Sequence, residues 1–269
     1  MFSAADAYER FMGRWSRALA PLLVKFAGVR DGDAVIDVGS GTGALTAAVV
    51  AVAPSSRVIG IDPVATYVSL AQARHPVDRV RFEVADAQQL RFPNASFDRT
   101  LSILVLNFVP DPAKALDQMI RVTQPGGTVA AAVWDYGQGM EMLRVFWDEA
   151  IALTPAMDAR DERHMPLSRK GELAVLWREH GLQDVVEEPL TIQTRFVSFD
   201  DYWSPFLEKQ GPAGEYVASL RAGEQDQLRL RLRRRLLGDG PDRPITLEAR
   251  AWGVLGTVPR LVTAPGLTT

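Results

Sequence analysis

Val35-Ile36-Asp37-Val38 is a short apolar run that reads as a buried strand, and Gly39-Ser40-Gly41-Thr42-Gly43 follows it directly. Alternating glycines permit a tight turn and let a ligand approach bare backbone. The helix-forming run Ala44-Leu45-Thr46-Ala47-Ala48-Val49-Val50 comes next. Amides at the start of that helix face whatever the turn holds. A second apolar run, Arg57-Val58-Ile59-Gly60-Ile61, ends in Asp62, nineteen residues after Gly43. A carboxylate at that place can accept both hydroxyls of a ribose. These residues predict a nucleoside-containing cofactor bound at the first crossover of a parallel sheet.

The elements that must position these groups alternate. Residues 4–28 read as one or two helices, with Phe11, Trp15, Leu19, Leu22, Leu23 and Phe26 spaced three and four apart. Pro21 is expected to divide that segment. After the turn Arg30-Asp31-Gly32-Asp33, strands are predicted at 34–38, 57–61, 79–84, 98–104 and 128–134. Helices are predicted at 44–53, 64–74 and 112–123, with a turn at Pro125-Gly126-Gly127. Strands alternating with helices in this way indicate a parallel, doubly wound sheet. Further on, helices are expected at 140–153, 169–180, 199–209 and 213–237, with Gly181 as a C-terminal cap. A long strand at 185–197 and a closing strand from Ile245 to Leu255 suggest an antiparallel edge.

Composition narrows the field. At 269 residues with 47% hydrophobic content, the chain can bury a sizeable core. Its net charge of −3 gives no electrostatic reason to expect nucleic acid as a partner. The basic run Arg229 to Arg235 reads as a solvated helix face beside Leu228, Leu230, Leu232 and Leu236. The absence of cysteine excludes disulfides, Cys-ligated zinc and thiol catalysis, and fits a cytoplasmic protein. The histidines, His75, His164 and His180, lack metal-site spacing, so no metal is expected. Nothing at the N-terminus has the basic and long apolar stretches of a secretion signal. No uncharged apolar run reaches about 18 residues, so no membrane span is expected.

The glycines alone leave two cofactors open, because Gly39, Gly41 and Ala44 also satisfy the relaxed dinucleotide pattern. Gly43 comes one place earlier than the third small residue of an NAD site, a spacing that suits a shorter ligand. A helical region before the first strand is unusual for a dehydrogenase, and no Tyr-x-x-x-Lys pair occurs. At this point the chain resembles a class I S-adenosylmethionine-dependent methyltransferase, similar to the small-molecule group that includes ubiquinone and menaquinone biosynthesis enzymes. The resemblance rests on ordered motifs over residues 35–134. Val35 to Gly43 matches the glycine-rich first motif, and Gly60-Ile61-Asp62-Pro63 matches the ribose-binding acidic turn. Val84 to Leu90, Phe92-Pro93 and Ser96-Phe97-Asp98 match the adenine-binding loop and the strand behind it. Arg121 to Thr128 matches the turn into the fifth strand, and Tyr8 to Trp15 looks like a cap helix.

The resemblance implies an α/β, Rossmann-like, doubly wound three-layer sandwich. Its seven-stranded, mostly parallel sheet has an antiparallel last strand and carries a helical cap. A single methyltransferase domain over 1–269 is expected, with a cofactor-binding core at 29–135 and cap or acceptor insertions at 1–28, 136–170 and 199–237. The cofactor implied is S-adenosyl-L-methionine. Gly39, Gly41 and Gly43 would line its methionine and ribose portion, and Asp37 would orient its amino group. Asp62, followed by Pro63, would hold the ribose hydroxyls. Asp86 would accept from the adenine amino group, with Ala87 offering its amide. Leu104, Leu106 and Phe108 follow the fourth strand, where cofactor and acceptor should meet.

The expected reaction is methyl transfer to a small, mostly apolar organic acceptor by in-line displacement, in which positioning supplies much of the acceleration. A base is needed only if the acceptor must lose a proton early. The candidates are Asp135, at the end of the fifth strand, and His164, in a polar insertion. Trp134, Tyr136, Trp147, Trp177, Tyr202, Trp203 and Phe206 are candidate pocket walls, or core. The acceptor is expected beyond Asn107 and Asp135, with the N-terminal helix closing over the cofactor through Tyr8 and Arg14. An NAD(P)-dependent oxidoreductase and a noncatalytic S-adenosylmethionine-binding protein are the alternatives.

Overall fold

The structure is a computed structural model, and it describes residues 12–155 and 161–260. Helix α1 (Arg14–Phe26) leads into β1 (Ala34–Val38), α2 (Ala44–Val52), β2 (Arg57–Asp62), α3 (Ala65–Arg74) and β3 (Val80–Val84). Then come β4 (Phe97–Ile103), α4 (Pro112–Val122) and β5 (Thr123–Trp134). The remainder comprises α5 (Glu141–Leu153), α6 (Glu172–Glu179), β6 (Gln183–Phe196), α7 (Phe199–Trp203), α8 (Gly211–Ser219), α9 (Ala222–Leu237) and β7 (Ile245–Thr257).

The seven strands form one sheet in the order β3-β2-β1-β4-β5-β7-β6. β1 to β5 pair in parallel, and β7 runs antiparallel between β5 and β6. The expected mixed sheet with an antiparallel last strand is therefore present. Alternating side chains divide its two faces, as period-two strands require. Val35, Ala130, Ala132 and Trp134 pack in one core, while Ile36, Val38, Val129, Ala131 and Val133 pack in the other. The first core continues outward into the cap through α1, α5, α7, α8 and α9, where Phe146 stacks on Phe206 with ring centroids 4.5 Å apart.

Three local expectations are corrected. Helix α1 runs through Pro21 instead of being divided by it. Pro21 is exposed, and the buried stripe of Trp15, Leu19, Leu23 and Val24 anchors both sides of it, so packing outweighs one lost backbone bond. Pro125-Gly126-Gly127 is an irregularity within β5 and not a turn before it. The Gly126 amide donates to Val258 O at 2.8 Å, and Gly127 O accepts from Val258 N at 2.9 Å, so β7 carries the ladder past the proline. Finally, the predicted helix 213–237 is two helices. Leu220 is extended, and Glu224 accepts from the Arg221 amide at 2.9 Å, which starts α9 afresh.

The basic run lies on α9 and is answered by neighbouring acids. Arg229 meets Asp200 at 2.9 Å and Arg231 meets Glu149 at 2.7 Å, while Leu228 and Leu232 are buried beneath. No described helix is long and apolar enough to cross a membrane.

Candidate functional site

The carboxyl ends of β1 and β4 are neighbours, yet their connections leave toward opposite sides of the sheet. Such a switch point opens a crevice. Loop 39–43 turns there on glycines with φ of 77° at Gly39, 51° at Gly41 and 91° at Gly43. The amides of Gly39 and Ser40 both donate to Ile61 O at 2.8 Å, which ties the loop to the end of β2. A Cβ on Gly39 would lie 2.5 Å from Val105 Cγ1, so no other residue fits without movement.

A cavity of about 470 Å³ fills the crevice. Gly39, Gly41, Asp62 and Pro63 line one side, Asp86 and Ala87 another, and Leu104 a third. Asp62 is 8% exposed; its Oδ2 accepts from the Gly41 amide and its Oδ1 from the Val64 amide, both at 2.9 Å. Burial raises its pKa, and the two amides oppose that shift. Asp86 is exposed and accepts from the Gln88 amide at 2.8 Å; that bond, with the Gln88 side chain, holds its pKa down. Ser40 Oγ, on the cavity wall, is buried without a hydrogen-bond partner among the described residues.

Asp37 and Gly43 stand behind this wall rather than on it. Asp37 is fully buried, and its Oδ2 accepts from Thr46 N at 3.1 Å and Thr46 Oγ1 at 2.7 Å. Its Oδ1 has no described partner, and burial lifts its pKa to about 7. Gly43 caps α2 against His75 and Phe82.

A second cavity, of about 210 Å³, adjoins the first and shares Leu104 and Phe108 with it. Its other walls include Met12, Trp134, Tyr136, Leu143 and Met165, and one carboxylate, Glu162. Leu104 holds φ of 61°, an uncommon conformation for a branched side chain, at the junction of the two cavities. Sequence reasoning missed Glu162. The polar insertion carries it, but only the fold brings that insertion beside Leu104.

The two residues considered as bases lie elsewhere. Asp135 is 5% exposed, is clamped by Arg250 Nη2 at 2.6 Å, accepts from the Gln138 amide at 3.0 Å, and lines neither cavity. His164 is exposed and also lines neither. Trp134 and Tyr136 wall the second cavity, whereas Trp177, Tyr202, Trp203 and Phe206 are core. Arg14 turns away to Asp201 at 2.9 Å and lines neither cavity, which corrects its expected place near the cofactor. Tyr8 lies outside the described residues.

Residues 36–131 match the family described as a methyltransferase domain. The chain therefore carries a methyltransferase domain over that central stretch. An uncharacterised protein of Mycobacterium tuberculosis is 28% identical over 230 residues, covering 82% of this chain and 82% of that protein. The ubiquinone/menaquinone biosynthesis C-methyltransferase of Bdellovibrio bacteriovorus is 37% identical over 118 residues, 43% of this chain and 49% of that protein. The methyltransferase fold recurs in phosphoethanolamine N-methyltransferase 2 of Haemonchus contortus, solved with S-adenosylhomocysteine. Its TM-score is 0.58 at 19% identity, covering 95% of this chain and 57% of that one.

Proposed function

We propose that this methyltransferase uses S-adenosyl-L-methionine to methylate a small, mostly apolar organic acceptor in the cytoplasm. The observation that carries the reading is the pair of adjoining cavities. One is walled by the glycine loop and two carboxylates, the other largely by apolar side chains, and both meet at Leu104 and Phe108. The cofactor suits the first cavity. Its two carboxylates and the unpartnered Ser40 hydroxyl offer acceptors for a ribose diol and an adenine amino group. When bound, the cofactor supplies an activated methyl on a sulfonium whose leaving group is a neutral thioether.

The protein supplies placement. Asp62, fixed by two backbone amides, is set to hold the ribose, while Gly39 and Gly41 give close approach to the loop. Asp86 and Ala87 are set for the adenine. Asp37, behind the cavity wall, braces the start of α2 through Thr46, and its proposed role toward the cofactor's amino group is to hold that wall in place. Gly43 starts α2 behind the loop. Leu104 and Phe108 form the shared wall along which acceptor and methyl align, so orientation carries much of the rate. Neither Asp135, paired with Arg250, nor exposed His164 is placed to act as the base. We read residues 29–135 as the cofactor core and 136–170 and 199–237 as the acceptor cap.

Calorimetry tests the cofactor. S-adenosylmethionine and its demethylated product should bind and NAD should not. Asp62→Ala should weaken binding by about 1–3 kcal/mol, the usual loss of a charged hydrogen-bond partner. Tight NAD binding, or indifference to Asp62→Ala, would reject the reading. Transfer of a labelled methyl group to any member of a panel of phenols, quinols, amines and carboxylic acids then separates an enzyme from a noncatalytic binding protein.

A further inference from the structure

Glu162 is the one carboxylate lining the second cavity among the described residues, and no imidazole joins it there. It is 4% exposed, and Trp147 Nε1 donates to its Oε2. No described cation forms an ion pair with it. The adjacent charge is Asp161, whose own carboxylate is taken by Arg144 at 2.9 Å and Arg163 at 2.6 Å. A buried carboxylate without a cation costs stability. Here it persists in a largely apolar wall that includes Leu104, Phe108, Leu143 and Met165, with Tyr136 and Gln210 among its polar side chains.

We infer that Glu162 docks the acceptor and takes its proton, so that the acceptor is a small apolar molecule whose nucleophile is an O–H or N–H group. The inference rests on the methyl-transfer reading and adds to it the class of nucleophile. The acceptor heteroatom donates its hydrogen to Glu162, which leaves a lone pair directed at the shared wall. That pair forms the new bond to the methyl carbon as the carbon–sulfur bond breaks and its electrons remain on sulfur. The proton passes to Glu162 and then to water, so each turnover yields methylated acceptor, thioether and one released proton. Aprotic acceptors such as thioethers and tertiary amines have nothing to give Glu162.

Two further facts agree. Burial, then the charge of Asp161, pushes the Glu162 carboxyl up to about 7, against the hydrogen bonds from Trp147 and the main chain of Ala213 in α8. A base is most effective when its pKa lies near the working pH. The Trp147 bond also fixes the carboxylate in orientation, because Trp147 itself is fully buried. The groups facing Glu162 from the surrounding elements are thus Trp147 of α5, Ala213 of α8 and Asp161 with its two arginines.

The test uses protein loaded with S-adenosylhomocysteine, titrated by calorimetry with 4-ethylphenol, 4-ethylaniline and the methyl ether of 4-ethylphenol. The phenol or the aniline should bind at least about tenfold tighter than the ether, and more tightly as pH rises through 7. Glu162→Gln keeps the shape and an oxygen for Trp147. It should bring donor and ether within about twofold of each other while S-adenosylmethionine affinity and the melting temperature hold. With labelled S-adenosylmethionine, Glu162→Gln should lower kcat about 100-fold, the lower end for losing a general base, and flatten its pH profile. Equal binding of donor and ether, binding of none of the probes, or transfer at the parent rate in Glu162→Gln would overturn the inference, even if the enzyme methylates something else. Donor-selective binding that depends on Glu162, without transfer to any acceptor, would keep the docking role and sink the methyl-transfer reading instead.

Discussion

Replacing Gly39 and Gly41 separately by alanine should give two different losses, because the structure gives the two positions different surroundings. Both need a left-handed backbone, with φ of 77° and 51°. An L side chain in that region costs about 1–2 kcal/mol at either site. At Gly39 the new methyl would also lie 2.5 Å from both Val105 methyl carbons and 2.9 Å from its Cβ. Val105 is attached at the branching carbon and cannot swing aside as a long side chain does. Overpacking of this kind adds about 1–3 kcal/mol. Gly39→Ala should therefore lose about 2–5 kcal/mol and Gly41→Ala about 1–2, since among the described residues none beyond its chain neighbours comes within 4 Å of a Cβ there.

Urea unfolding of each variant measures these losses, and Val105→Ala supplies the decisive control. In the Gly39→Ala/Val105→Ala double variant the two 2.5 Å contacts with the methyl carbons disappear, while the 2.9 Å contact with Cβ and the backbone strain stay. The two changes should be coupled by about 1–3 kcal/mol, well above the additivity expected of independent sites. Equal losses at the two glycines, or a coupling below about 0.5 kcal/mol, would refute the reasoning. Cofactor binding gives a second readout, because both glycines line the cavity. Gly41 lines the cavity, so its methyl should lower S-adenosylmethionine affinity at least about tenfold despite the milder effect on folding.

Asp37→Asn should stabilise the protein more at pH 8 than at pH 4. Burial raises the folded pKa of Asp37 to about 7 from an ordinary 3.8, so the stability it contributes is full below the unfolded value and is lost as pH rises through 7. Thermal unfolding of variant and parent across that range reads the difference, and a gap independent of pH would refute it. Arg250→Met should destabilise by about 3 kcal/mol by leaving Asp135 buried without its cation. Adding Asp135→Asn should recover most of that loss in chemical denaturation, and no recovery would mean that the pair does not act as a unit.

The cofactor half of the site was legible because its groups are local. A strand, a glycine turn and a helix start fall within residues 34–52, and the carboxylate follows at the end of the next strand. The limits of β1, β2, α3 and β4 fall within a residue or two of the periodicity for the same reason. The errors came where partners distant in sequence decide. Pro21 reads as a break until the stripe beneath α1 is seen to hold both sides of it. Pro125-Gly126-Gly127 reads as a turn until Val258, more than a hundred residues on, supplies its hydrogen bonds.

Glu162 and His164 show how far a pattern reaches. Both belong to one short 3-10 turn, Glu162–His164, in a polar stretch with no apolar period to orient it. The imidazole has the more conspicuous chemistry in the sequence, yet it faces solvent, while Glu162 turns inward. The decision is made by Asp161. It accepts from Arg144 on α5 and from Arg163, and so pins the turn against that helix. With the turn held there, Trp147, one helical turn from Arg144, meets Glu162, and the second cavity gains its carboxylate. A residue type reveals what a side chain could do; here an ion pair from a different element determines which of two neighbours is placed to do it.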